Sequence, residues 1–235
     1  MWFRQLLDPG TSTLSYLVGD PATREALVID PVLEETDALL AALREDGYRL
    51  VLSVETHVHA DHVTGGARLR ELTRASVAMP ALASDCGCAD RSLHDGDRLR
   101  VGAIELVALA TPGHTPDSLS YLLDDRAVFT GDALLIGTCG RTDFQGGDAG
   151  ALWDSLHHRL FTLADDIVVY PGHDYRGRTS STVGVERREN ARATGRSRDE
   201  FIALMGALDL PPPRRIAETV PANRRCGLPL EPHAA

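Results

Sequence analysis

The chain contains no lysine: its 24 basic residues are all arginine, against 34 carboxylates, for a formal net charge of −10. An acidic chain without a basic run would repel the phosphates it had to neutralise, which argues against nucleic acid or an anionic membrane as partner. No apolar stretch approaches the roughly 20 residues a bilayer-spanning helix needs. The opening MWFRQLLDPGTSTLSYLV lacks the apolar core and small-residue cleavage site of a secretory leader. Cysteine is sparse, with only Cys86, Cys88, Cys139 and Cys226, too few for a disulfide scaffold. The expectation is a soluble protein of a reducing compartment, the bacterial cytoplasm or, in a eukaryote, the mitochondrial matrix. What is present is ordinary globular material: 43% hydrophobic and 25% charged residues over 235 positions, without an internal linker. A single domain over 1–235 is expected.

Short apolar runs place strands at Leu14–Val18 and Ala26–Ile29 around the turn Gly19-Asp20-Pro21, then at 51–54 and 77–79. Helical spacing marks 34–46, ending near Gly47, and a second helix over about 65–74 with Thr64 placed to cap it. Two hairpins follow, 98–101 with 104–109 and 119–123 with 127–130. A helix over about 149–160, a strand at 167–170 and a helix at 198–208 complete the pattern. The proline-rich PPPRR and PANRRCGLP segments read as tail. Strands, helix and strand occur in both halves, a faint sign of duplication. Three polar, Gly-rich, His-bearing loops each follow a strand end, so a rigid sheet can bring them to one rim.

Those loops hold five of the nine histidines: His57, His59 and His62 in HVHADH, His114 in PGHT and His173 in PGHD. Asp61 and Asp132 keep them company. At this composition an H-x-H-x-D-H run arises by chance on the order of once in a thousand such chains. Neutral imidazole and carboxylate are common ligands of divalent zinc, manganese and iron, and donors on separate loops can enclose one ion. Histidines serving only as caps or satisfied core groups are the plainer reading. It accounts for one such residue more easily than for five with two aspartates. His94, His157, His158 and His233 lie outside every motif and read as surface residues.

THVHADHVTG, TPGHTPDS, TGD and PGHD together resemble the metal-site signature of the metallo-β-lactamase fold. The resemblance implies an α/β chain folded as an αββα sandwich, with the metal site at one edge of its two sheets. Fold alone does not name a reaction. GDALLIGTCGRTDFQGGDAGALWDSLH, YPGHDYRGRTSSTVGVERREN and VPANRRCG further resemble the persulfide dioxygenases. GRTDFQ and PANxRCG have no place in the general metal signature. The chain stops soon after PANRRCG, so the form fused to a rhodanese domain is not expected.

That resemblance implies one Fe(II) per chain held by His57, His114 and Asp132, a facial triad with positions left open on the metal. His59, Asp61, His62 and His173 would orient those ligands and tune the metal by hydrogen bonds. It further implies glutathione persulfide and O2 as substrates, sulfite and glutathione as products, and a homodimer as a candidate assembly. Arg141 is a candidate for gripping a glutathione carboxylate, against an ion pair with Asp143. Tyr175 is a candidate for lining the sulfur pocket, against a satisfied core tyrosine. Arg176 and Arg178 are weaker candidates, read as solvated. Cys226 matches a family cysteine near the substrate channel, against a buried structural thiol. Cys139 is expected to pack in the loop after the metal aspartate. Cys86 and Cys88, a C-x-C pair too close for an easy disulfide, read as a solvent-side loop. The competing activity is a binuclear zinc thioester hydrolase of the glyoxalase II type. A non-catalytic metal-binding protein on the same fold would need a lost ligand, and none is lost.

Overall fold

The computed structural model describes residues 1–83 and 88–228; Cys86 and His233 lie outside them. Strands β1 (Trp2–Asp8), β2 (Thr13–Asp20) and β3 (Glu25–Ile29) form an antiparallel meander. Helix α1 (Thr36–Asp46) crosses to β4 (Arg49–Val54), and α2 (Gly66–Thr73) crosses to β5 (Ser76–Pro80). With β6 (Arg91–Leu93), these strands add in parallel, so the first sheet runs β1-β2-β3-β4-β5-β6. The second sheet repeats the scheme. Strands β7 (Arg98–Val101), β8 (Ile104–Ala110), β9 (Leu119–Leu123) and β10 (Ala127–Gly131) are antiparallel. Helix α3 (Ala149–Ser155) then crosses to the parallel strand β11 (Val168–Pro171), and β12 (Ser181–Thr182) closes the edge. A meander followed by a helical crossover to a parallel strand is the duplication hinted at in the sequence. Helices α4 (Val183–Glu189), α5 (Arg198–Gly206) and α6 (Ile216–Asn223) complete the described chain.

The two sheets face each other across a core that includes Leu14, Tyr16, Leu27, Leu99, Leu106, Tyr121 and Phe129. Outside the first sheet, Leu39, Leu43 and Leu69 of α1 and α2 pack on Leu17, Val28 and Leu50. Outside the second, Leu152, Phe201 and Met205 of α3 and α5 pack on Val128 and Val169. This is the expected αββα sandwich. A strand covered on both faces needs no alternation, and β2 is buried at every position.

The sequence placed no element at β1, β6, β12, α4 or α6, and it differs from the structure at the end of α3. Strand β1 is a half-buried edge strand with a mixed pattern. The 149–160 helix is α-helical only to Ser155 and continues as a wider π turn over Leu156–Leu160. The PAN of PANRRCG is the last turn of α6, with Pro221 inside the helix, where proline's low helix propensity hides it.

The cysteines differ from expectation. Cys88 is no free loop thiol: it forms a disulfide with Cys226, with Cα atoms 6.0 Å apart. Cys226 is fully buried, its sulfur 3.4 Å from Met79 Sδ, so it lines no channel. A reducing compartment does not anticipate that pairing. Cys139 is a buried free thiol, as expected, and burial pushes its pKa up to about 11.

Candidate metal centre

All the motif loops leave the C-terminal ends of strands on one rim: HVHADH after β4, PGHT after β8, Asp132 after β10 and PGHD after β11. One ligand atom from each of His57, His114 and Asp132 lies within 4.8 Å of the others. The His57 and His114 rings meet edge-on at 5.0 Å, and His57 and His59 lie 4.2 Å apart, so the i, i+2 histidines both turn inward. Glycines permit this crowding. A Cβ at Gly140 would stand 2.3 Å from the Asp132 carbonyl oxygen, and one at Gly172 would stand 2.5 Å from Asp132 Oδ1.

Hydrogen bonds fix which nitrogen of each imidazole is free. Thr56 Oγ1 donates to Asp30 Oδ2 at 2.8 Å, so toward His57 Nδ1, 2.9 Å away, it accepts. His114 Nδ1 faces the Arg141 carbonyl at 2.7 Å and must donate to it. Both rings therefore carry a proton on Nδ1, which leaves Nε2 as the nitrogen available to a metal. Burial, followed by the neighbouring imidazoles of His59 and His114, holds the His57 pKa well below its ordinary value, which keeps the ring neutral.

His59, Asp61, His62 and His173 form a second layer of contacts. Burial opposes charge on His59, but Asp30 at 3.2 Å and Glu55 at 3.3 Å hold its pKa well above the usual range. Asp61 Oδ2 receives the Thr13 hydroxyl at 3.0 Å and lies 3.0 Å from His62 Nδ1 and 3.6 Å from His173 Nε2. Burial would raise the Asp61 pKa, yet His62 and then His173 carry it well below the carboxylate range. His173 Nε2 also sits 3.6 Å from Asp132 Oδ2.

The donor set fits a metal ion. Asp132 Oδ1, His59 Nδ1 and His62 Nε2 are buried without a protein hydrogen-bond partner, a costly arrangement unless something else engages them. Several residues that organise the loops were not singled out in the sequence: Asp30, outside every motif, and Thr56 behind His57, Asp117 of TPGHTPDS accepting from Val58 N at 2.8 Å, and Gln145 of GRTDFQ donating to Val58 O at 2.9 Å. The GRTDFQ segment thereby reaches both histidine loops, through the Arg141 carbonyl and the Gln145 amide.

The candidate substrate residues divide. The Arg141 guanidinium pairs with Asp143 through Nε and Nη2 at 2.7 Å, donates to the Pro211 and Leu210 carbonyls at 2.7 and 3.2 Å, and stacks on Phe144 at 4.5 Å. This is the ion-pair alternative, and the fork is already engaged. Tyr175 is 72% exposed, with its ring parallel to His173 at 5.8 Å, so it is not a core tyrosine. It lines a cleft of about 270 Å³ beside His173, whose walls include Arg176, Arg178 and Arg192. Arg178 is no solvated side chain: it bonds Asp174 and the Ile136 carbonyl, at 3.0 and 2.6 Å.

The metallo-beta-lactamase superfamily matches residues 8–85 and 89–173. The human mitochondrial persulfide dioxygenase ETHE1 is 47% identical over 226 residues, 96% of this chain and 88% of its own. A crystal structure of ETHE1 from Myxococcus xanthus superimposes with a TM-score of 0.94 at 53% identity, over 97% of this chain and all of that one. A hydroxyacylglutathione hydrolase from Rhodopseudomonas palustris is 42% identical over 167 residues, 70% of this chain and 64% of its own. The last match leaves out part of this chain, whereas the persulfide dioxygenase match runs nearly throughout. The chain belongs to the metallo-beta-lactamase superfamily and, within it, to the persulfide dioxygenases.

Proposed function

We propose that this protein is a persulfide dioxygenase with a single iron held by His57, His114 and Asp132, acting on glutathione persulfide. The observation that carries the reading is the convergence of two imidazoles and one carboxylate, with one ligand atom of each within 4.8 Å of the others, on a loop-built rim. Bound there, iron would supply open positions at which a soft persulfide sulfur and O2 can meet. The chain's own groups supply the rest. The Arg141 carbonyl and Thr56 hydroxyl lock the two imidazoles in the ligating tautomer, so no reorientation is needed when the site is filled. Asp30 at 3.2 Å and Glu55 at 3.3 Å hold the His59 ring in a fixed orientation beside the cluster.

Glutathione carries two carboxylates and this protein a net charge of −10, so substrate needs local cations. The cleft beside His173 offers Arg176 on its wall, with Arg178 paired to Asp174 and Arg192 bonded to the Cys139 carbonyl behind it, and Tyr175 as an exposed aromatic wall. Tyr175 and the arginine cleft, in place of Arg141, are the substrate contacts we propose.

Metal analysis of protein isolated without added metal tests this reading. About one iron per chain supports it; two zinc ions per chain would instead support the thioester hydrolase.

A further inference from the structure

We infer that Asn223, at the end of α6, is a positioning residue for the histidine loop; the inference rests on the metal-site reading above. The loop between β4 and α2 carries His57, His59, Asp61 and His62. Its turn over 59–64 has polar backbone groups that no strand or helix pairs. The Asn223 side chain answers three of them. Nδ2 donates to the His59 carbonyl at 2.9 Å and the His62 carbonyl at 2.8 Å, while Oδ1 accepts from Thr64 N at 2.8 Å. One turn earlier, Thr219 Oγ1 donates to the Ala60 carbonyl at 2.8 Å. Asn223 is 1% exposed and Thr219 fully buried, so water cannot replace either.

An amide is the side chain this position demands. Both donors of its NH2 group and its oxygen are used at once, a pattern a carboxylate of the same shape cannot match. The clamp closes over 160 residues of chain: α6 is fastened below by the Cys88–Cys226 disulfide and by Ala67 N donating to the Cys226 carbonyl at 2.9 Å. The loop's other end is held separately, at Val58, by Asp117 and Gln145. Asn223 therefore sets the backbone from His59 to Thr64, and with it where His59, Asp61 and His62 stand around the triad. It touches no reacting group; it acts through the loop.

Asn223→Asp tests this, because it keeps the shape and the Thr64 bond while turning an oxygen toward two carbonyls. Cobalt(II) is the probe, read by its visible absorption and by its dissociation constant in titration, with Leu43→Ala as a variant destabilised far from the site. Asn223→Asp should shift the cobalt spectrum and weaken binding by roughly 10–100-fold, the scale of changes in groups that orient metal ligands. Leu43→Ala should change neither. Wild-type affinity and spectrum in Asn223→Asp would overturn the positioning role, as would the same change in a Leu43→Ala protein of equal melting temperature. If Asn223→Asp does not fold, Thr219→Val decides: a measurable loss of cobalt affinity supports the clamp, and an unchanged constant overturns it. Failure of wild type to bind cobalt is a different outcome, which removes the metal-site reading itself.

Discussion

Replacing Arg141 by alanine distinguishes a structural latch from a substrate contact. The guanidinium spans from the loop after Asp132 to the Leu210–Pro211 segment, and its side chain is only 17% exposed. Two hydrogen bonds to carbonyls contribute about 1 kcal/mol each. The pair with the half-exposed Asp143 adds about 0.5 kcal/mol, because solvent screens it. Stacking on Phe144 adds about 0.5–1 kcal/mol. Arg141→Ala should therefore cost roughly 3–3.5 kcal/mol, which for a chain of this length lowers Tm by about 6–14 °C. Because His114 donates to the Arg141 carbonyl, a loosened loop should also weaken metal binding. Arg141→Lys keeps the charge but not the planar fork, and should fall between wild type and alanine. Thermal unfolding, metal titration and steady-state kinetics with glutathione persulfide read the three effects. An unchanged Tm and metal affinity combined with a raised KM alone would refute the latch and return Arg141 to the substrate.

Other substitutions probe the remaining parts. His57→Ala, His114→Ala and Asp132→Ala should each remove most of the iron, whereas His59→Ala should retain more of it yet lose activity by roughly 10–100-fold; equal stripping by His59→Ala contradicts a three-ligand site. Arg176→Ala and Arg178→Ala should raise KM for glutathione persulfide while leaving iron content unchanged, and kinetics identical to wild type would move the carboxylate contact elsewhere. Asp61 is depressed in the folded chain, so its contribution to stability is present above the ordinary aspartate pKa and lost as pH falls below about 4. In metal-free protein the Tm advantage of wild type over Asp61→Asn should shrink through that window, and a gap independent of pH contradicts the assignment. Reducing the Cys88–Cys226 disulfide, which closes a separation of 138 residues, should cost about 2–4 kcal/mol, and matching melting curves with and without reductant would contradict it.

The metal loops were legible because each carries its donors within a short polar motif that follows an apolar run read as a buried strand. The supporting contacts were not, because they link positions far apart. Asp30 meets His59 across 29 residues, and Asn223 meets it across 164. No local pattern marks an asparagine as the partner of a loop on the other side of the chain. GRTDFQ and PANRRCG could be read as family markers, but their work is tertiary: one segment brackets His57 and His114, the other clamps the turn after His59. Arg141 shows the same limit from another side. Its type and place suited a carboxylate ligand, and only packing disclosed that Asp143 and two carbonyls already hold it.

Oxygen uptake by the iron-loaded protein in the presence of glutathione persulfide tests the central claim most directly. The reaction combines the persulfide, one O2 and water to give sulfite and glutathione, so one sulfite should appear for each O2 consumed. Rapid hydrolysis of S-lactoylglutathione with no oxygen uptake from the persulfide would contradict the account.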